Sequence, residues 1–234
     1  MMTGKKILLL HPGAAFGAEL ADGFREAGAE VFPYGDGYKQ GTEASAEAFA
    51  AKVKEEMGKI DCFVYIDPGV CLKGWENEFE DIAENMRATQ TGFMLTVKHI
   101  GRMMAEAGGG GAVLFITDYT ALAGCDVWNY DNAPETFDED FTLVYGFQKG
   151  AYVNYARQAA GYLGEHGIRC NCIAYAPLAG TKPEAFEKAF IKHSHIKRMA
   201  MASDIKNAAL FLASDAAAYI TGVTLPVDGG YTAK

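Results

Sequence analysis

The chain has 234 residues, half of them apolar, with a formal net charge of −9 and a pI near 5.1. That length supports one substantial core and a single domain over 1–234. The acidic balance excludes the basic footprint of a nucleic-acid binder, and no apolar run is long enough to span a bilayer.

The start, MMTGKKILLL, lacks the longer apolar core of a secretory signal and reads better as a strand, so a cytoplasmic protein is expected. Cys62, Cys71, Cys125, Cys170 and Cys172 show no paired metal-ligand spacing, and no metal is expected. Cys170 and Cys172 share one face of an apolar run and read as small core residues in a reducing compartment.

In chain order, strand-like and helix-like segments alternate, as in a parallel sheet wrapped by crossover helices. A strand at Lys6–Leu10 leads into a helix from about Ala15 to Ala27, ended by Gly28. Ala29–Gly35 is the second strand. The next segment, TEASAEAFAAKVKEEMGKI, is an amphipathic helix with Thr42 or Ser45 as its cap. Asp61–Ile66 is the third strand, and a long, interrupted helix covers Phe79 to Ala107 until the run Gly108–Gly111 stops it. Ala112–Thr117 is the fourth strand. An irregular acidic and aromatic stretch follows, then a helix from about Phe141 to His166. Ile168–Tyr175 is the fifth strand. Helices around Pro183–Lys192 and Ser203–Ala213 come next, and Leu225–Gly230 closes the sheet. His193 and His195, in a basic helix-like segment, read as solvated surface.

The C-terminal third carries the most specific pattern. Tyr145-x-x-x-Lys149, the run Gly167-Ile168-Arg169 with Asn171, Leu212-Ala213-Ser214-Asp215, and Thr221-Gly222 leading to Val227-Asp228-Gly229-Gly230 occur in one fixed order. This order resembles the short-chain dehydrogenase/reductase family. The resemblance implies a doubly wound, Rossmann-like α/β sheet with its site at the carboxyl ends of the strands. It also implies a Tyr145 general acid/base acting on a hydroxyl or carbonyl. Lys149, one helical turn on, lies on the same face and lowers the tyrosine pKa. The implied cofactor is NAD or NADP.

Four departures lie upstream. In the glycine-rich turn, His11 and Ala15 stand where the first two family glycines belong, while Phe16-Gly17 match the last pair. An alternative register uses Gly13 and Gly17. Pro12 removes a backbone donor that would bind phosphate, and His11 lacks the conformational freedom of glycine. His11 itself reads either as an anion ligand or as loop filler. At the end of strand two the ribose-reading acid is displaced to Asp36, with Lys39 near it. Between strands two and three, one helix uses most of the chain where the family has a helix, a strand and a helix, so this region is shortened and the adenine wall reduced. After strand three the family's turn becomes Tyr65-Ile66-Asp67-Pro68-Gly69, which puts a carboxylate near a pyrophosphate. Together these predict nicotinamide binding that is weak or lost.

The catalytic surroundings differ too. Asp118 falls at the family serine position, with Thr117 or Thr120 as alternative hydroxyls, and an ionised Asp118 cannot donate to a carbonyl. The family's helix asparagine aligns near Thr89 or Gln90, and Gln90 is the closer replacement. Trp128, Tyr130 and Phe137 sit among Asp126, Asp131, Glu135, Asp138, Glu139 and Asp140. This loop reads as a substrate lid with Thr120 and Trp128 at the ligand, as a subunit contact, or as a solvated loop with one aromatic anchor. Tyr175 replaces the proline of the turn after strand five and fills part of the nicotinamide space.

Three functions are consistent with this pattern. The first is an oxidoreductase acting on a small hydroxyl or carbonyl substrate. The second is a cofactor-free enzyme of the same fold doing proton transfer. The third is a nucleotide-poor structural subunit of an active paralogue. The C-terminal VDGGY and the long helices resembling the family's dimer faces imply an oligomer, homomeric or with a paralogue. No nucleic-acid or membrane partner is expected.

Overall fold

Six short segments, most of them rich in branched and aromatic residues, form one all-parallel sheet in the order β2-β1-β3-β4-β5-β6. In this computed structural model, residues 2–35, 41–132, 137 and 142–233 are described. The strands are β1 (Lys6–Leu10), β2 (Glu30–Tyr34), β3 (Cys62–Ile66), β4 (Gly111–Asp118), β5 (Ile168–Tyr175) and β6 (Thr224–Val227). The central strands lack a polar alternation because helices cover both faces; β3, CFVYI, is buried at every position.

Successive side chains point to opposite faces, and the two cores divide accordingly. Ile7, Leu9, Val64 and Leu114 pack with α1 (Gly17–Glu26), α6 (Glu184–His193) and α7 (Ala202–Ala213). Leu8, Leu10, Phe63 and Phe115 pack with α2 (Glu43–Met57), α4 (Gly92–Ala107) and α5 (Tyr145–Gly164).

The register Leu8↔Phe32 on one side and Leu8↔Phe63 on the other makes β1 the point where strand order reverses. A crevice at the carboxyl ends of β1 and β3 is the expected ligand position in such a sheet. His11 follows β1, Asp67 follows β3, and Asp118 and Tyr175 end β4 and β5.

Thr42 caps α2, its hydroxyl accepting from Ser45 N at 3.2 Å. The long helix from Phe79 to Ala107 is continuous through one π turn at Arg87–Thr91, which joins α3 (Phe79–Met86) to α4. Gly108, at φ 69°, ends it in a conformation that favours glycine.

Two helix starts move. The first helix begins at Gly17 rather than Ala15, because Ala14 and Ala15 belong to the turn. The Tyr145 helix begins at Tyr145 itself, after a turn whose Thr142 hydroxyl accepts from Tyr145 N at 3.2 Å; Phe141 lies outside the described residues. β2 forms the sheet edge, and among the described residues no element intervenes between β2 and α2. Asp36 and Lys39 lie outside the described residues. Among the described residues no helix is long and apolar enough to cross a membrane.

Candidate active site

The structure brings Asp118, Tyr145 and Lys149 together, with Thr120 beside them. β4 delivers Asp118 at its carboxyl end, and α5 delivers Tyr145 and Lys149 from its first turns. The Tyr145 hydroxyl donates to Asp118 Oδ2 at 2.5 Å. Thr120 donates to Asp118 Oδ1 from its backbone N–H at 2.8 Å and from its hydroxyl, so the carboxylate is held from both sides. Lys149 Nζ lies 3.8 Å from Asp118 Oδ2 and 4.7 Å from the centre of the Tyr145 ring.

Lys149 has a second and closer partner. Its ammonium is paired with Asp67 Oδ2 in a bridge whose side chains are 5% and 10% exposed. Asp67 also accepts from Thr117 Oγ1 at 3.2 Å, Tyr152 OH at 3.4 Å and Gly69 N at 3.0 Å. Burial works against the lysine charge, but Asp67, Asp118 and the hydrogen bond to Asp67 outweigh it and raise the Lys149 pKa. Burial, with Tyr65 and Asp67 adding to it, pushes the Tyr152 phenol well up. Thr117 serves Asp67 and Thr120 serves Asp118, so the two alternative hydroxyls have separate tasks. The sequence flagged Asp67 only as a carboxylate near a phosphate. Its pairing with Lys149, 82 residues away, exists only in the fold.

A cavity of about 220 Å³ opens over the Tyr145–Asp118 pair. Phe16 and Tyr175 wall one side, edge to face with ring centres 5.0 Å apart. Cys125 and Tyr130 close another, and Thr181 and Lys182 lie before α6 on the third. Sequence reasoning placed Tyr130 in a candidate lid but missed Cys125, Thr181 and Lys182 as lining residues; for the last two, the polar pair immediately ahead of a helix that follows β5 was the available signal. Trp128 does not join them. It is 64% exposed and lines a separate surface groove with Asn132, Glu184 and His193. Tyr130 is the buried aromatic of that loop, packed on Phe137 and Phe186. Gln90 is buried on the π turn, lines no wall of this cavity, and its Nε2 has no hydrogen-bond partner among the described residues.

The turn after β1 keeps a glycine-like shape with different residues. His11 adopts φ 61°, the left-handed conformation, so the expectation that it lacks glycine's freedom is corrected: histidine is among the side chains that tolerate this region. Its backbone N–H donates to Tyr34 O at 2.8 Å, and its ring packs edge-on against Tyr65 at 5.2 Å. Burial lowers the imidazole pKa to about 4, against the opposing pull of Asp67, so His11 is neutral near pH 7. Gly17 is required by space, since a Cβ there would lie 2.0 Å from Pro12 O. Gly13 is exposed with open space around it and imposes no such demand. Phe16 caps α1 with no side-chain hydrogen bond; within the first turn Gly17 N donates to Ala14 O at 2.8 Å and Leu20 N to Phe16 O at 2.9 Å.

A crevice at the strand reversal, with a tyrosine and lysine one turn apart on a neighbouring helix, defines a Rossmann-like α/β site. The family model described as Enoyl-(Acyl carrier protein) reductase matches residues 41–232, and the chain belongs to the short-chain dehydrogenase/reductase family. It is 32% identical over 188 residues to momilactone A synthase of Oryza sativa subsp. japonica, covering 74% of this chain and 63% of that one. It is 25% identical over 264 residues to L-rhamnose 1-dehydrogenase (NAD(P)(+)) of Sphingomonas sp. (strain SKA58), covering 98% and 97%. A short-chain dehydrogenase from Leptospira borgpetersenii serovar Hardjo-bovis, solved with bound NAD+, has the same fold. Its TM-score is 0.87 at 19% identity, over 99% of this chain and 94% of that one.

Proposed function

We propose that the chain is an oxidoreductase of a small hydroxyl or carbonyl compound, with Tyr145 as the group that exchanges a proton with the substrate oxygen. The observation that carries this reading is the Tyr145–Asp118 hydrogen bond at the mouth of the cavity, with the Lys149 ammonium beside it. In the oxidation direction Tyr145 accepts the substrate hydroxyl proton while its own passes to Asp118 Oδ2. In the reduction direction the phenol returns a proton to the carbonyl oxygen, and Asp118 restores it. Asp118 therefore acts as proton acceptor behind the tyrosine rather than as a serine-like donor to the substrate. A cavity of about 220 Å³ is smaller than the roughly 300–1,000 Å³ of drug-sized ligand sites, which favours a small substrate.

A nicotinamide dinucleotide fits this chain in part. The N-terminus of α1 and the turn from His11 to Gly17 would hold the pyrophosphate, and the Phe16–Tyr175 wall would meet the nicotinamide. When bound, the cofactor supplies the hydride acceptor or donor. Pro12 withholds one N–H, Asp67 places a carboxylate near the turn, and Tyr175 narrows the ring pocket, so the affinity is low. The name of the rhamnose dehydrogenase and the NAD+ in the Leptospira protein favour this cofactor class over none. A second reading, proton transfer without a cofactor, draws on the same Tyr145–Asp118 pair and on the closure of the Phe16–Tyr175 wall.

Calorimetric titration with NADH and NADPH, followed by a screen of small alcohols and ketones, tests both. Saturable binding weaker than micromolar with turnover supports the oxidoreductase. In that case Tyr145→Phe lowers turnover by about 10²–10⁴-fold without changing the melting temperature. Unchanged turnover in Tyr145→Phe removes the tyrosine from the chemistry. Absence of binding by either nucleotide moves the protein to the cofactor-free reading.

A further inference from the structure

The unusual group in this site is Asp67. It sits at the carboxyl end of β3, beside the strand reversal, and all its side-chain hydrogen-bonding capacity points inward. Thr117 from β4, Tyr152 from α5 and the backbone of Gly69 fix its orientation, and Ile116 O accepts from its N–H at 2.9 Å. The turn alone does not need a carboxylate, since one amide oxygen would accept from Gly69 N and Tyr152 OH as Oδ1 does; Oδ2, which takes Thr117 and Lys149, is the acceptor an amide would lose. The carboxylate is matched instead to the Lys149 ammonium. A buried charge left without a partner is strongly unfavourable, so this pair stabilises Lys149 in place.

The consequence is electrostatic. Two carboxylates, Asp67 and Asp118, face one ammonium, and Lys149 leans toward Asp67 rather than toward the Asp118–Tyr145 bond. The groups that face this cluster are His11 after β1, Cys71 in the loop after β3, Tyr152 on α5 and Tyr175 on β5. None of these four supplies a second cation at neutral pH, because burial keeps His11 neutral; the other cation of the cavity, Lys182, stands on the wall before α6, over the Phe186 ring at 5.7 Å. An anion approaching Lys149 therefore meets an ammonium whose charge is already offset.

We propose that Asp67 is a positioning and specificity-determining residue. It draws Lys149 closer to itself than to the neighbouring Asp118 and selects neutral ligands over anionic ones at the strand reversal. This rests on the oxidoreductase reading only for the identity of the anionic probe, NADH; the electrostatic claim stands on the geometry of the cluster.

The test compares the full chain with Asp67→Asn, which keeps one acceptor oxygen and removes the charge, and with Asp67→Glu, which restores the charge. Two readouts avoid turnover altogether. NADH affinity is measured by calorimetry, and Tyr145 ionisation is followed by ultraviolet difference titration against Tyr145→Phe. In Asp67→Asn the Kd for NADH falls by about tenfold or more. Tyr145 ionises at lower pH than in the parent, because Lys149 swings to Asp118 and offsets the charge beside the phenol. Asp67→Glu returns both toward the parent values. An Asp67→Asn protein that folds but leaves both readouts unmoved overturns the proposal, as does a loss of melting temperature with neither readout shifted. Failure of the oxidoreductase reading shows as unchanged turnover in Tyr145→Phe or as no NADH binding by the parent; in the second case NADH binding that appears only in Asp67→Asn supports the proposal, and an unmoved Tyr145 titration overturns it.

Discussion

The turn after β1 and the segment around β5 preserve their shapes in opposite ways. Around β5 the conserved shape is made by side chains. Arg169 donates to the carbonyls of Leu212, Ser214 and Ile220, and Asn171 donates to Ile220 O while accepting from Val223 N. The Thr221 hydroxyl accepts from Cys170 N at 3.0 Å. Each bond needs a particular donor or acceptor, so the letters persist and the pattern can be read directly. After β1 the shape is made by the backbone. A left-handed residue and a close approach are required, and His11 and Gly17 meet those requirements. Side-chain chemistry constrains identity; backbone geometry constrains only what fits.

Three changes would break or sharpen that contrast. The largest effect belongs to Gly17→Ala, where the new methyl would meet Pro12 O at 2.0 Å. Backbone must move to admit it, and a loss of about 3 kcal/mol or more in urea-denaturation stability is expected. A loss below about 0.5 kcal/mol would show that the turn is looser than the contact implies. His11→Asn comes next, because asparagine also tolerates the left-handed region. In the parent, the unfolded histidine takes a proton near pH 6.5 and the folded one only near pH 4. Stability from this group is therefore complete above the unfolded value and declines as pH falls between the two, by about 3 kcal/mol in all. His11→Asn should flatten that slope when denaturation midpoints are compared across the window. A slope that persists would place its origin in other groups. Trp128→Ala is the smallest: with its ring outside the Tyr145 cavity, kcat/KM should stay within about twofold of the parent. A larger loss would return Trp128 to the substrate path.

The elements that were legible in the sequence share one property: their residues serve a local period or a specific bond. β1 and β5 match their expected limits at Lys6–Leu10 and Ile168–Tyr175, and the interrupted helix spans Phe79 to Ala107 as expected. The interruption itself, a π turn, leaves no local mark in Arg87–Thr91 beyond ordinary helix formers. Tyr145 and Lys149 were legible because one helical turn separates them. Asp67 as the partner of Lys149 was not, since two crossovers must close before the two side chains meet. The acidic loop misled through its most conspicuous residue: Trp128 faces outward while Tyr130, two residues on, carries the packing.

In the six-stranded sheet β2 forms one rim and β6 the other. On β2, Glu30 N and Tyr34 O bond inward to β1, so the residues between them alternate and Pro33 turns its backbone nitrogen outward. On β6, Val223 O and Val227 O bond inward to β5, and Pro226 takes the outward place. Each rim thus presents a proline where a neighbouring strand would look for a donor. The two borders of this six-stranded sheet therefore make a poorer template for another chain to extend, because on each of them a pyrrolidine ring takes the place of one outward donor.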